Sequence, residues 1–287
     1  MSAQSLAVIT GANGDMGMCI TRAVAAAGWK VIMACNDPVA AEAKRLEIVQ
    51  QTGNPNVEIE GLELRSLHAV ADFAERVSRR PEPIGLLMNN AGVMPPRFAV
   101  TEDGLSQTVS VNYVGPYLLS RLLLPRMERG TRVVNMISCT YAIGRIHLPE
   151  FFTNGGLRHY YRIPVYSNTK LALLLFTREW AARLAERGIT VNAADPGIVN
   201  TKFIHLDAWF DPLTDRFFRP LIRTAQKGAS TAIDLLLNPS YEGVTGQAFA
   251  DCKPIHLGKR FLHHPMQLPL WEATEALVAP WLPLSGR

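Results

Sequence analysis

A chain of 287 residues with 48% apolar content can bury a large core, and open α/β folds of this length form one domain by default. Its net charge of +4, with Lys and Arg spread along the chain rather than gathered in a block, implies neither a nucleic-acid partner nor a lipid surface. The four cysteines, Cys19, Cys35, Cys139 and Cys252, lie far apart without CxxC spacing, which argues against a zinc site or a disulfide framework and fits buried thiols in a reducing cytosol. No basic N-terminal segment precedes an apolar run, and no stretch of about 18 apolar residues occurs. The expectation is a soluble cytoplasmic protein without a membrane span.

Short β-type runs alternate with helical stretches from the start. Leu6 to Thr10 reads as the first strand, followed by the glycine-rich turn Thr10-Gly11-Ala12-Asn13-Gly14-Asp15-Met16-Gly17 and a helix through Ala23 to Ala27. Such a turn sets backbone N–H groups and a helix N-terminus where a pyrophosphate can bind, although a plain strand-to-helix connection looks the same. Lys30 to Cys35 is the second strand, with Asn36 at its end and Asp37 placed to cap a helix beginning near Pro38. Val57 to Leu62 and Ile84 to Met88 follow, the first leading into Glu63 and the second into Asn89-Asn90-Ala91-Gly92, whose small residues allow a ligand or a neighbouring backbone to approach. Arg132 to Ile137, Ile189 to Ala194 and Gln247 to Ala250 complete the strands. Alternation of this kind predicts an α/β fold, a doubly wound, Rossmann-like parallel sheet of about seven strands, with ligands at the strands' C-terminal ends.

Two long segments interrupt the rhythm just after sheet strands. Ala142 to Pro164 is rich in Gly, His and aromatics, and Val199 to Ile222 carries Phe203, Trp209, Phe210, Phe217 and Phe218. Long excursions at that edge serve as substrate loops, so 142–164 is expected as an insert and 199–222 as a lid of one domain spanning 1–287. The tail from His263 reads as a covering segment with a helix near Trp271 to Val278, and His263-His264 as a solvated turn, so no metal site is expected.

Tyr166 and Lys170 share a helical face, with Ser138 and Asn112 upstream. A carbonyl that receives a hydride must also gain a proton, and a phenol with an ordinary pKa of about 10 is a poor base for the reverse step at neutral pH. A lysine on the same face favours the phenolate, and Ser138 can donate to a substrate oxygen as charge develops there. Pro196-Gly197 follows the sixth strand, with Thr201 four residues beyond Gly197, also placed to cap a helix starting near Phe203.

These motifs in this order resemble the classical short-chain dehydrogenase/reductase family over nearly the whole chain. A narrower likeness to the retinol dehydrogenase and protochlorophyllide reductase-like branch rests on Val31-Ile32-Met33-Ala34-Cys35, Gly144-Arg145-Ile146-His147, the long insert before Tyr166, and Asp251-Cys252-Lys253. The resemblance implies an oxidoreductase moving a hydride between a nicotinamide cofactor and an alcohol or carbonyl of a fairly apolar small molecule. Its catalytic residues would be Asn112, Ser138, Tyr166 and Lys170, with Asn112 holding a water that links the lysine to solvent. Its cofactor would lie on Gly11, Asn13, Gly14, Asp15, Met16, Gly17, Asn36, Glu63, Asn90, Ala91, Gly92, Tyr166, Lys170, Pro196, Gly197 and Thr201. It also implies a possible homodimer through the helices carrying Tyr166 and Asn112.

Departures from the family's pattern gather in the cofactor half. Asp15 stands where the turn's middle glycine belongs, Asn36 and Met18 stand where the branch carries basic residues, and Glu63 replaces an aspartate beside adenine. With nothing cationic expected nearby to pair a 2′-phosphate, NAD is weakly preferred over NADP. The alternative is a nucleotide-binding sensor or scaffold of the same fold with little turnover, against which the complete set of Asn112, Ser138, Tyr166 and Lys170 argues.

Overall fold

A computed structural model describes residues 5–148, 150–156, 159–199 and 223–283. The described strands are β1 (Leu6–Thr10), β2 (Lys30–Cys35), β3 (Val57–Gly61), β4 (Ile84–Asn89), β5 (Met127–Met136), β6 (Thr190–Asp195), β7 (Ala248–Ala250) and β8 (Lys253–Pro254). They form a single sheet in the order β3-β2-β1-β4-β5-β6-β7-β8, parallel throughout except for the antiparallel β8. Every residue of β1, β4 and β6 is buried, the mark of strands covered on both faces.

Helices α1 (Asp15–Ala26) and α2 (Pro38–Thr52), together with α8 (Ala225–Leu237), cover one face around Ile20, Val24, Ala229 and Leu236. The other face is covered by α3 (Leu67–Ser78), by α4 (Gln107–Val109) running through a π-helical turn (Ser110–Val114) into α5 (Gly115–Leu123), and by α7 (Arg162–Leu184), around Phe73, Tyr117, Leu174 and Trp180. Short α6 (Glu150–Asn154) and α9 (Lys259–Leu262) and the longer α10 (Gln267–Val278) complete the described helices. Strand order reverses between β1 and β4, and the crevice outside the C-terminal ends of such neighbours is where open α/β sheets bind ligands. The glycine-rich turn leaves β1 there, and Asn90 follows β4.

Four expectations change in detail. The sheet gains an eighth strand: Asp251 and Cys252 adopt φ of 51° and 58°, so Ala250 pairs directly with Lys253 across a two-residue turn. Strand β5 starts at Met127 rather than Arg132, because Met127 pairs with Ile84 before an irregularity that brings Arg132 opposite Leu86. The C-terminal helix starts at Gln267, ahead of Trp271. Of the four cysteines expected to be buried, only Cys35 is; Cys19 and Cys252 are half-buried and Cys139 is exposed, because it lies just past the end of β5 at a cavity wall. Asp37 caps α2 as expected, accepting the Ala40 N–H at 3.0 Å. Among the described residues no helix is long and apolar enough to cross a membrane.

Candidate active site

The turn after β1 is held by its own backbone and by the loop after β4. The Thr10 hydroxyl accepts the N–H groups of Asn90 and Ala91, each at 3.0 Å, and the Asn90 amide donates to the carbonyls of Thr10 at 3.0 Å and Gly11 at 3.2 Å. Gly11 has φ +60°, and a Cβ there would lie 3.0 Å from the Ala91 Cα. At Gly17 the limit is space alone, since a Cβ would lie 2.1 Å from the Gly11 carbonyl oxygen. Both positions require glycine so that α1 can rise directly from the turn.

Asp15 is the first residue of α1, and Gly14 caps the helix without a side-chain bond. The Asp15 carboxylate is exposed and makes no hydrogen bond among the described residues. Asp15 lines the cavity at the start of α1.

The catalytic half is assembled from β5, the π-helical turn and α7. Ser138 caps the short turn after β5, accepting the Thr140 N–H at 3.4 Å, and lines the same cavity as Tyr166. Lys170, one helical turn beyond, is 2% exposed. Its ammonium donates to the Met136 carbonyl at 2.7 Å and lies 5.3 Å from the centre of the Tyr166 ring. Burial pushes the Tyr166 phenol up, an effect the nearby Ser138 side chain opposes. Burial also pulls Lys170 down to about 8, because a low dielectric disfavours whichever form is charged.

Asn112 sits in the π-helical turn, fully buried. Its side chain clasps Val93 through both backbone groups, accepting the N–H at 2.7 Å and donating to the carbonyl at 2.9 Å, and donates to Thr169 at 3.1 Å. It therefore stands behind the cavity wall and ties the loop after β4 to α7.

These parts line one cavity of about 750 Å³. Ser138 and every expected cofactor residue within the described set border it; Thr201 and the expected lid, apart from Val199, lie outside the described residues. The expectation that nothing cationic lies near the nucleotide end is corrected. Lys44 and Arg65 both line the cavity there, Lys44 donating to the Asn13 carbonyl and Arg65 paired with Glu63 at 2.7 Å. The tertiary fold brings them in, since Lys44 lies well inside α2 and Arg65 lies past the end of β3. Asp195, which the sequence marks only as the residue before Pro196, is buried below the catalytic pair.

The cradle fits a dinucleotide. Its wall is kept free of side chains at Gly11, Gly14 and Gly17, it is bordered by a helix N-terminus, and the Asn90 Oδ1 is buried with no hydrogen-bond partner among the described residues.

The family model described as short chain dehydrogenase matches residues 5–207. Mouse retinol dehydrogenase 12 is 35% identical over 277 residues, covering 96% of this chain and 86% of that protein. Mouse retinol dehydrogenase 14 is 33% identical over 286 residues, covering 94% and 85%. Among solved structures, an uncharacterised protein from Mycobacterium paratuberculosis superposes with a TM-score of 0.77 at 31% identity, covering 98% of this chain and 96% of that one. An actinorhodin polyketide ketoreductase solved with NADPH superposes at 0.66 and 22% identity, covering 87% and 96%, a likeness of fold. The chain belongs to the short-chain dehydrogenase family, in its retinol dehydrogenase branch, and is a nicotinamide-dependent oxidoreductase of alcohol and carbonyl groups.

Proposed function

We propose that the substrate is a fairly apolar small molecule and that Asn112, Ser138, Tyr166 and Lys170 carry its chemistry. The observation behind this reading is that Ser138 and Tyr166 line the same cavity wall, with the Lys170 ammonium beside the Tyr166 ring, in the cavity that begins at the glycine-rich turn. In carbonyl reduction the Tyr166 hydroxyl gives its proton to the substrate oxygen as the hydride reaches the carbon, and Ser138 donates a hydrogen bond to that oxygen. Alcohol oxidation runs the same transfers backwards, with Tyr166 as phenolate. Lys170 stabilises that phenolate, and Asn112 fixes the wall behind both.

A bound nicotinamide cofactor supplies or accepts the hydride. Gly11, Asn13, Gly14, Asp15, Met16 and Gly17 would follow its pyrophosphate and Asn36 and Glu63 its adenosine. Asn90, Ala91 and Gly92 would lie along its middle. Tyr166, Lys170, Pro196, Gly197 and Thr201 would hold its nicotinamide end. NAD(H) is favoured over NADP(H) because Asn36 is uncharged, Lys44 is committed to a carbonyl, and Arg65 is already paired with Glu63. Comparing kcat/KM with both cofactors tests this; a tenfold advantage for NADP(H) means that Lys44 or Arg65 turns to a 2′-phosphate.

The insert 142–164 supports the role of substrate loop. Tyr160 donates to the Pro95 carbonyl at 2.6 Å and Arg162 to the Met94 carbonyl at 2.7 Å, which docks its end against a loop whose Met94 borders the cavity. Exposed Phe98 packs on Tyr160 at 5.7 Å, giving the neighbourhood an apolar surface suited to such a substrate.

Tyr166→Phe decides between turnover and binding alone. It removes the proton donor and little else, so consumption of reduced cofactor with an aldehyde panel should fall to background while cofactor affinity stays within a few-fold. A variant retaining a tenth or more of wild-type kcat excludes Tyr166 as the acid/base. A wild-type chain that binds cofactor but turns over no aldehyde or alcohol is instead a nucleotide-binding sensor or scaffold.

A further inference from the structure

Asp195 ends β6 directly below the catalytic half and is 4% exposed. Its carboxylate accepts the backbone N–H of Gly197 at 2.9 Å. The neighbouring strand pair fixes where it stands. Met136 lies opposite Ala194 in the sheet, and the Met136 carbonyl is the acceptor for the Lys170 ammonium. Asp195 is thus one residue beyond the pair of strands that holds the lysine.

The charged and titratable groups within electrostatic reach of Asp195 are Cys139 and Tyr141 from the turn after β5, Tyr166 and Lys170 from α7, and Arg223 from the segment before α8. Arg223 is engaged elsewhere, in a two-pronged pair with Asp251 at 2.7 and 2.8 Å that Lys227 joins at 3.5 Å. Among the described residues no lysine or arginine lies within ion-pair distance of Asp195.

We propose that Asp195 is a positioning residue of the reaction: a fixed, buried negative charge that keeps the Tyr166–Lys170 pair protonated and so sets the pH at which the pair releases its protons. The inference rests on the oxidoreductase reading of the site.

The Gly197 partner of Asp195 is an N–H donor, which suits an ionised carboxylate. Burial pushes the Asp195 carboxyl up, and the backbone amides of Gly197 and Cys139, Arg223 and Lys170 oppose this. A negative charge raises the proton affinity of every group it faces. The Asp195 charge acts in this direction on both Tyr166 and Lys170. Protonated, Tyr166 can donate to a carbonyl; deprotonated, it can accept from an alcohol.

The competing role is mechanical, since the bond from Gly197 back to Asp195 shapes the Pro196-Gly197 turn. Asp195→Asn separates the two, keeping shape and acceptor oxygen while removing the charge. NMR titration of isotope-labelled lysine side chains in the cofactor-free protein, with Lys170→Arg to assign the signal, should show Lys170 titrating near 8 in the wild type and about one unit lower in the variant. The rising limb of kcat/KM against pH for alcohol oxidation should move to lower pH by a similar amount. Asp195→Ser should reproduce both shifts. An unmoved Lys170 titration and pH profile in either variant, or failure of both variants to fold, would assign the carboxylate to the turn and overturn the proposal. Absence of turnover in the wild type overturns the oxidoreductase reading alone, and the Lys170 titration still decides the role of Asp195.

Discussion

Lys170 holds an ammonium group in the packed layer between α7 and the sheet, 2% exposed, with the Met136 carbonyl as acceptor. Its value falls from an ordinary 10.5 to about 8 on folding, so the folded chain binds this proton less well than the unfolded one. Below about pH 8 the lysine is charged in both states and the full desolvation cost opposes folding; above about 10.5 it is neutral in both and the cost is gone. The cost is on the order of 3 kcal/mol. Lys170→Met should therefore be more stable than wild type near neutral pH, by roughly 1–2 kcal/mol once the lost hydrogen bond is counted, and the advantage should shrink as pH rises from 8 to 10.5. Denaturant midpoints measured across that range test it, and a pH-independent difference would contradict it. Asp15 invites a second substitution at this scale. Its carboxylate caps nothing and lines the cavity at the helix N-terminus that a cofactor pyrophosphate would use, so Asp15→Gly should tighten cofactor binding several-fold, more at low salt than at high. Equal or weaker binding in the glycine variant would mean that the side chain turns away from the phosphates.

Among the elements, legibility followed the reach of the interactions. Strands β1, β2 and β4 were readable because their apolar runs are short, continuous and bounded by turn residues, and Asp37 announced α2 by capping chemistry that needs only its own neighbours. β8 was not readable, since its turn puts Asp251 and Cys252 in left-handed conformations without the Asn-Gly or Asp-Gly signature. The π-helical turn around Asn112 was equally hidden. Pro116 has no N–H to return to the Asn112 carbonyl four residues earlier, but the turn also depends on Val93 clasping the Asn112 side chain and on Ser110 donating to the Leu64 carbonyl at 2.9 Å. Lys44, Arg65 and Asp195 likewise reach the site only through packing between elements. Gly144 is a glycine of this kind, with an ordinary φ of −64° but no room: a Cβ would lie 2.5 Å from the Ser167 carbonyl oxygen and 2.8 Å from the Leu171 Cβ. Gly144→Ala should push the Ser138 turn away from α7, costing about 1–3 kcal/mol of stability and lowering kcat at least tenfold. Cofactor affinity should change little, since the cradle lies at the other end of the cavity. Wild-type kcat in this variant would show that the spacing between Ser138 and Tyr166 is set elsewhere.

For the whole molecule the question is which surface remains for another copy of the chain. The resemblance to the family pointed to a homodimer through the helices carrying Tyr166 and Asn112, yet α10 lies along them. Trp271 packs on Tyr117 at 5.1 Å and stacks on Phe176 at 6.2 Å, with the Arg183 guanidinium over its ring at 4.4 Å. Glu275 takes both nitrogens of the Arg121 fork at 2.8 and 2.9 Å and the Tyr117 hydroxyl at 2.5 Å, and Thr274 meets the Tyr113 hydroxyl at 2.8 Å. Tyr113, Tyr117 and Arg121 form a stripe along one side of the π-helical turn and α5, and Phe176, Trp180 and Arg183 form one along α7, so α10 covers the sides of both helices that carry these stripes. Trp271 is 6% exposed, while Tyr117, Phe176 and Trp180 are at most 2% exposed beneath it. The expected outcome is a wild-type monomer by light scattering. Trp271→Ala should lose about 3–5 kcal/mol and, by loosening α10 from an apolar groove, gain a concentration-dependent tendency to self-associate. A wild-type dimer whose contact surface, mapped by cross-linking, runs across Tyr117 and Phe176 would mean that α10 yields the groove to the partner and that the family's mode of assembly is kept.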